Sequence, residues 1–303
     1  MPRRALVRGQ KETALDAVMD VLRNKKFLLL AALLLFIGFS LAVAQFLPRG
    51  IDWYMTFRPA TLAFLSGKTP YENLEAPFPG APWALLPLIP MALLPENIGR
   101  GFLFVVSLAA FAYTAFRLGG KPLALGAFLA SPPVLHCLVN SNLDWMPLLG
   151  FVLPPPVGLF FLAVKPQVGS VVALFWLVEA WRRGKWKETI LVFGPVTAAL
   201  VLSFLIYGLW PRNMFEAAEY TLWWNTSLWP YSIPVGLILA ALALWRRKIN
   251  FAMAASPCLS PHVLLHSWSG ALVSIVASTK WTVLAVLGLW IWMIIRFLSG
   301  AGG

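Results

Sequence analysis

Two carboxylates, one lysine and a pair of histidines stand where ionisable side chains are costly. The chain has twelve Asp and Glu residues. Glu12, Asp16 and Asp20 sit near the N-terminus. Glu179 and Glu188 flank a basic cluster, Glu216 and Glu219 fall in a late loop, and Glu72, Glu75 and Glu96 have small or polar neighbours. That leaves Asp52 and Asp144, each followed by a tryptophan and each at the edge of an apolar run. A carboxylate at membrane depth is by default a functional group, and its chemistry is that of a general base. The plainer role for Asp52 is a helix-end carboxylate paired with Arg49 or Arg58. For Asp144 it is an N-cap on the following segment.

Lys165 lies inside LFFLAVKPQVGSVVALFWLVEAWRR, seventeen residues before Arg182. On one continuous helix that separation is about 25 Å, the depth of an anionic lipid headgroup in the opposite leaflet. Pro166 would free a backbone carbonyl beside it. The plainer reading is a snorkelling lysine. In SPHVLLHSW, His262 and His266 are four apart and on a helix would share one face. Such a pair can bind a metal, contact a phosphate or line a polar pocket. With His136 as the third histidine of the chain, the pocket-lining role is the expectation; a divalent cation is an open option, and no metal ligand set is assigned.

These groups need elements to hold them, and composition says what kind. The 303 residues are 59% hydrophobic and 12% charged, with a mean hydropathy of +0.76. Soluble domains are nearer half apolar and a quarter charged. Runs such as FLLLAALLLFIGFSLAVAQF lack the alternation of a membrane barrel strand and are long enough to cross a bilayer as helices. The fold class expected is an all-α polytopic membrane protein with eight to ten transmembrane helices. The net charge of +12 would suggest nucleic acid in a soluble protein. Here Lys and Arg gather at helix ends, where they face membrane lipids and mark the cytoplasmic side, so no nucleic-acid partner is expected.

Residues 1–26 are expected to form a cytoplasmic amphipathic helix, with Ala14, Leu15, Val18, Val21 and Leu22 at helical spacing. Residues 27–303 then form one transmembrane domain. Helix one, 27–47, is too long for a cleavable signal and crosses outward, so Asp52 emerges on the outer face. The clusters Arg182, Arg183, Lys185, Lys187 and Arg246, Arg247, Lys248 are both expected on the cytoplasmic side. Between 81 and 181, apolar stretches at 81–95, 101–116, 122–138, 143–153 and 155–180 read as up to five crossings. Several are short and proline-rich, so some are expected to dip and return. Cys137 and Cys258 have no metal-like spacing and read as reduced core residues. No Walker lysine motif, strand-to-helix GxGxxG, HExxH or GxSxG occurs, which leaves an ATP-driven pump or a soluble-type hydrolase unsupported.

Taken in order, D-W-Y, RPA, L-x-G-K-x-P-Y, P-W, P-x-x-L-L-P, N-x-N-L-D, K-P-Q and S-P-H resemble the bacterial polyprenol-phosphate-mannose-dependent mannosyltransferases, glycosyltransferase family eighty-seven. The resemblance runs from Gly50 to about His266. It implies a GT-C type helical bundle in the plasma membrane and an extracytoplasmic site that takes sugar from a polyprenyl phosphate to a glycan, lipid or protein hydroxyl. By that resemblance Asp52 is the base that activates the acceptor. The 48–80 loop with Gly67, Pro70 and Tyr71 walls the cavity with interfacial helices, and Lys165 is a candidate for the lipid phosphate, with Arg58 or His262 as further donors. Asn140, Asn142 and Asp144 stand where many relatives carry a Gly-Gln-x-Asn element; this chain lacks that Gly-Gln. The competing expectations are a lipid-linked sugar flippase and a non-catalytic membrane subunit.

Overall fold

The computed structural model describes residues 25–299. The helix expected over 1–26 lies outside them, apart from Lys25 and Lys26. The described chain is helical throughout, and its sole strand-like pairing is a bridge between Asn225 and Leu264. Four helices are long and apolar enough to cross a membrane: α1 (Lys25–Phe46), α4 (Glu96–Arg117), α9 (Pro166–Tyr207) and α14 (Thr279–Leu298). A bent pair, α5 (Pro122–Leu129) and α6 (Pro132–Asn140), passes the same test when taken together, as a broken span or a re-entrant loop. This is the arrangement of a multi-pass membrane protein.

The outermost helices are apolar all round. On α1 only Ser40 and Ala44 are buried, and Leu29 and Leu35 remain more than 70% exposed, as a lipid-facing helix requires. It packs on α4 through small residues: a Cβ on Gly101 would run into the Ser40 carbonyl and Ala44. Close backbone approach through such residues is how helices associate without a hydrophobic driving force.

Proline decides why eight to ten full crossings are not present as single helices. The stretch at 81–95 is a 3-10 turn, Pro82–Leu88, followed by α3 (Ile89–Ala92). Its eleven residues are too short to span, and it packs against α2 (Arg58–Leu65). Further on, α5, α6 and α8 (Pro155–Leu162) each begin on a proline, and α7 (Trp145–Gly150) has six residues. Proline suits a first helical turn and kinks or breaks a helix further in, so the apolar run from 122 to 165, with its repeated prolines, becomes short helices separated by turns. Between its two arms the bent pair changes direction by 52°.

The longest helix folds back on itself. As a straight rod the 42 residues of α9 would reach about 63 Å. Yet Phe160, just before it, and Trp210, just after it, both lie against the Trp83 ring, with centroids at 5.7 and 6.5 Å. The reversal sits at Gly184 and Lys185, whose backbone angles are non-helical (φ −148°, ψ 18° and φ 51°, ψ −136°). Each arm is then about 27–33 Å long, enough to cross a bilayer. At the reversal, Glu179 holds Arg182 at 2.8 Å and Arg247 at 2.6 Å. Arg182 also donates to the Leu244 carbonyl at the end of α11 (Ile233–Arg246). The two basic clusters therefore meet at one end of the bundle. The other end carries Trp83, Trp210 and the start of α9. The chain reaches it from the basic end through α12 (Ile249–Cys258), then continues through α13 (Ser269–Val273) to α14. The remaining helix, α10 (Arg212–Tyr220), follows Trp210 and has no buried residue.

Candidate active site

Asp52 opens the stretch that follows α1, directly before a π-helical turn, Trp53–Phe57. Such turns re-aim side chains and recur at functional sites. Trp53 anchors the turn: it is fully buried and donates through its indole nitrogen to the Glu96 carbonyl at 3.1 Å. Asp52 itself is partly exposed. Its Oδ2 accepts a hydrogen bond of 2.6 Å from Asn142 Nδ2. Asn142 Oδ1 in turn accepts from the Leu143 amide at 2.7 Å. That backbone N–H must meet an oxygen, so the amide has one orientation and turns its NH2 toward the carboxylate. The pairing with Arg49 or Arg58 does not form. Arg49 is bound to Glu96 at 2.8 Å, and Arg58 donates to the Leu94 carbonyl at 3.3 Å.

Asn142 is delivered by the way α6 ends. Ser141 is left-handed (φ 61°), the Asn142 amide returns to the Cys137 carbonyl at 2.9 Å, and the Ser141 amide to Leu138 at 3.3 Å. That closure satisfies the helix's last carbonyls and turns the chain sharply inward. All of 141–148 is buried.

Two residues on, Asp144 is fully buried and holds the N-cap position of α7, but its side chain makes no capping bond there. Its Oδ2 takes Lys165 Nζ at 2.6 Å and His266 Nδ1 at 2.8 Å. Its Oδ1 has no partner. Lys165 is not inside one long helix. It sits at the break between α8 and α9 with an extended backbone (φ −139°, ψ 87°), and Pro166 begins the new helix. The break lets a buried lysine reach Asp144 instead of snorkelling, so its charge is already compensated. His266, 1% exposed, is held in a 3-10 turn, Leu265–Trp268.

His262 and His266 do not share a helical face, because the chain between them is irregular up to Leu265. His262 Nε2 instead meets Thr221 Oγ1 at 3.0 Å. Burial, reinforced by the nearby Lys165 and His266, holds the His262 imidazole below its ordinary range. Tyr71 also lies apart from the cluster. Its hydroxyl donates to the Gly80 carbonyl at 3.0 Å, and its ring stacks with Trp210 and Phe78. It belongs to an aromatic wall joining the first loop to the second arm of α9.

His136, given no role of its own from the sequence, belongs to this region, as do Arg100 and Ser141, which sequence reasoning passed over. The His136 ring lies against that of His266, tilted by 33° with centroids 5.4 Å apart, and Asn140 steadies the turn by donating its amide to the His136 carbonyl at 3.0 Å. The four-residue spacing on α6 carries that signal. Arg100 and Ser141 meet at 3.3 Å beside Gly50. The Gly-Arg-Gly run at 99–101 hints at it, since both glycines sit in close contacts, Gly99 at Met91 and Gly101 at Ser40, on the helix that carries the arginine. Among the described residues no group of three or more His, Cys, Asp or Glu side chains is arranged to hold a metal ion. A lysine occupies the third position around the Asp144–His266 pair.

The chain matches no family model, no curated protein and no solved structure. The site therefore stands on its geometry: a partly exposed, oriented carboxylate beside a buried, charge-compensated cluster, drawn from four separate stretches of chain.

Proposed function

We propose that the protein is an integral-membrane glycosyltransferase that moves a hexose or pentose from a polyprenyl phosphate to an acceptor hydroxyl on the extracytoplasmic side of the plasma membrane. The observation that carries this reading is Asp52: the one partly exposed carboxylate of the cluster, set at the end opposite both basic clusters and aimed by Asn142. The resemblance of the chain's motif order to that of the polyprenol-phosphate-mannose-dependent mannosyltransferases supports the same reading.

In the reaction, Asp52 removes the acceptor proton within hydrogen-bond reach, roughly 2.6–3.2 Å. The acceptor oxygen attacks the anomeric carbon. The bond from that carbon to the phosphate oxygen breaks, and polyprenyl phosphate leaves with the electron pair, so the anomeric configuration inverts. A polyprenyl chain gains about 0.8 kcal/mol per buried CH2, which keeps the donor in the bilayer and accounts for a membrane-embedded enzyme. The Asp144–Lys165–His266 cluster fixes the floor beneath Asn142.

A flippase for the same lipid-linked sugar is the second reading, favoured by the ion cluster alone, since buried Asp, Lys and His groups also mark transport pathways. The test is to incubate the protein in lipid nanodiscs with a panel of polyprenyl-phosphate hexoses and pentoses and candidate acceptors. Release of polyprenyl phosphate coupled to a glycosylated product is expected with one donor. Movement of donor between leaflets without cleavage would assign the flippase instead.

A further inference from the structure

Arg100 is a buried cation without a counter-ion. It sits in the second turn of α4 and is 4% exposed. Its Nε meets Ser141 Oγ at 3.3 Å and one terminal nitrogen meets the Leu47 carbonyl at 3.4 Å, while the other has no partner. Arginine keeps its charge at any working pH and presents five N–H donors. A guanidinium removed from water needs a charge partner, and breaking or omitting that partner is strongly unfavourable. The carboxylate within its electrostatic reach is Glu96, which is engaged by Arg49. Lys165 differs: Asp144 compensates it at 2.6 Å.

The surroundings of Arg100 place it next to the base. Gly50, two residues before Asp52, passes directly over the guanidinium; a Cβ there would lie 2.8 Å from Nε and 2.7 Å from Ser141 Oγ. Ser141 precedes Asn142, which holds Asp52. Nearby, Arg58 also carries an unpartnered, buried Nε and makes no ion pair among the described residues. It shares the electrostatic environment of Glu96 with Arg49 and Arg100. Three guanidiniums thus share one carboxylate, a local excess of positive charge of which Arg100 is the buried member.

We propose that Arg100 is the principal cation for a phosphate-ester anion at this site, with Arg58 assisting and Lys165 taking no direct part. The proposal rests on the transferase reading for its choice of a lipid-borne phosphate; the anion chemistry itself comes from Arg100. A guanidinium fork suits phosphate oxygens bidentately, and one placed against Gly50 would hold the leaving phosphate close to the Asp52 carboxylate.

The experiment is a binding titration on the full chain in nanodiscs, by native mass spectrometry, with polyprenyl phosphate in one arm and inorganic phosphate in the other. Arg100→Gln is expected to weaken polyprenyl phosphate binding by about ten- to a hundredfold, the range for a lost charge-assisted hydrogen bond. The paired exchange Asp144→Asn with Lys165→Gln should leave affinity within about twofold, since it removes both charges together. Arg100→Lys keeps the charge but not the fork; it is expected to weaken binding less, and it is read in place of Arg100→Gln should that variant fail to stay monodisperse. Unchanged affinity in the variant read overturns the proposal, as does loss of affinity in the Asp144, Lys165 pair alone. Arg100-dependent binding of the lipid without turnover of any donor keeps this site and removes the transferase reading. Arg100-dependent binding of inorganic phosphate alone keeps the cation and removes the lipid carrier.

Discussion

Asn142 and Asp52, ninety residues apart in the chain, are joined by a hydrogen bond of 2.6 Å. The donor's orientation is set by the backbone rather than by the carboxylate, because the Leu143 amide occupies Asn142 Oδ1. Asp52 thus meets a fixed partner. Hydrogen bonds to a charged group are worth about 1.5–3 kcal/mol, so Asn142→Leu should lower the rate of sugar transfer about ten- to a hundredfold. The fold should persist, which circular dichroism and size-exclusion profiles of the variant would check. An unchanged rate would mean that Asn142 has no part in orienting the base.

Asp144 and Lys165 compensate each other in a buried place, and they are predicted to behave as a unit. Lys165→Met leaves a buried carboxylate facing only His266, and removing one partner of a buried ion pair costs about 3–5 kcal/mol. The matching exchange of both residues, Asp144→Leu with Lys165→Met, should recover most of that loss. Thermal unfolding of the two single variants and the double variant in detergent closes the cycle. Additive losses would show that the 2.6 Å contact contributes no coupling.

The pH dependence of stability should carry a mark of His262. Burial, with Lys165 and His266 nearby, lowers its folded pKa, so the unfolded state binds the proton more readily. The contribution is present above the unfolded value of about 6.5 and is lost as pH falls below it. Melting temperature should therefore decline from neutral pH toward acid, and His262→Gln should make that decline shallower. Equal slopes for the two proteins would remove His262 from the account.

The fold-back of α9 makes a prediction about sidedness. Lys187 and Lys248 lie at the end where the two basic clusters meet, and Lys68 lies in the first loop at the other end, where Tyr71 contacts Tyr207 and Trp210. Both native cysteines are buried. In sealed vesicles, single cysteines at Lys187 and Lys248 should react with an impermeant maleimide from one side, and a cysteine at Lys68 from the other. Labelling of Lys187 and Lys68 from the same side would contradict the hairpin.

Composition and apolar runs made the helical membrane architecture legible, and the spacing of basic clusters made their shared end legible. The helix count was not, because apolar composition does not distinguish a crossing from a proline-broken pair of short helices. The segment at 81–95 has the composition of a span and the length of half of one. Asp52, Asp144, Lys165 and His266 stood out as ionisable groups in apolar company. Their partnership did not, since it depends on a left-handed Ser141 and on the break at Lys165, both set by tertiary packing. Arg100 was hidden for a related reason: in sequence it is one more basic residue at a helix start, and only the approach of Leu47, Gly50 and Ser141 encloses it.

Whether Asp52 is the base is decided by replacing its carboxylate alone. The parent protein and Asp52→Asn, each in nanodiscs, are given the same polyprenyl-phosphate sugar and acceptor, and the initial rate of glycosylated product is measured. Asparagine keeps the shape of the side chain but cannot take a proton, and general base catalysis is worth about 10²–10⁴-fold. The account predicts a rate at least about a hundredfold lower with polyprenyl phosphate binding retained; product formed by Asp52→Asn at the parent's rate would contradict it.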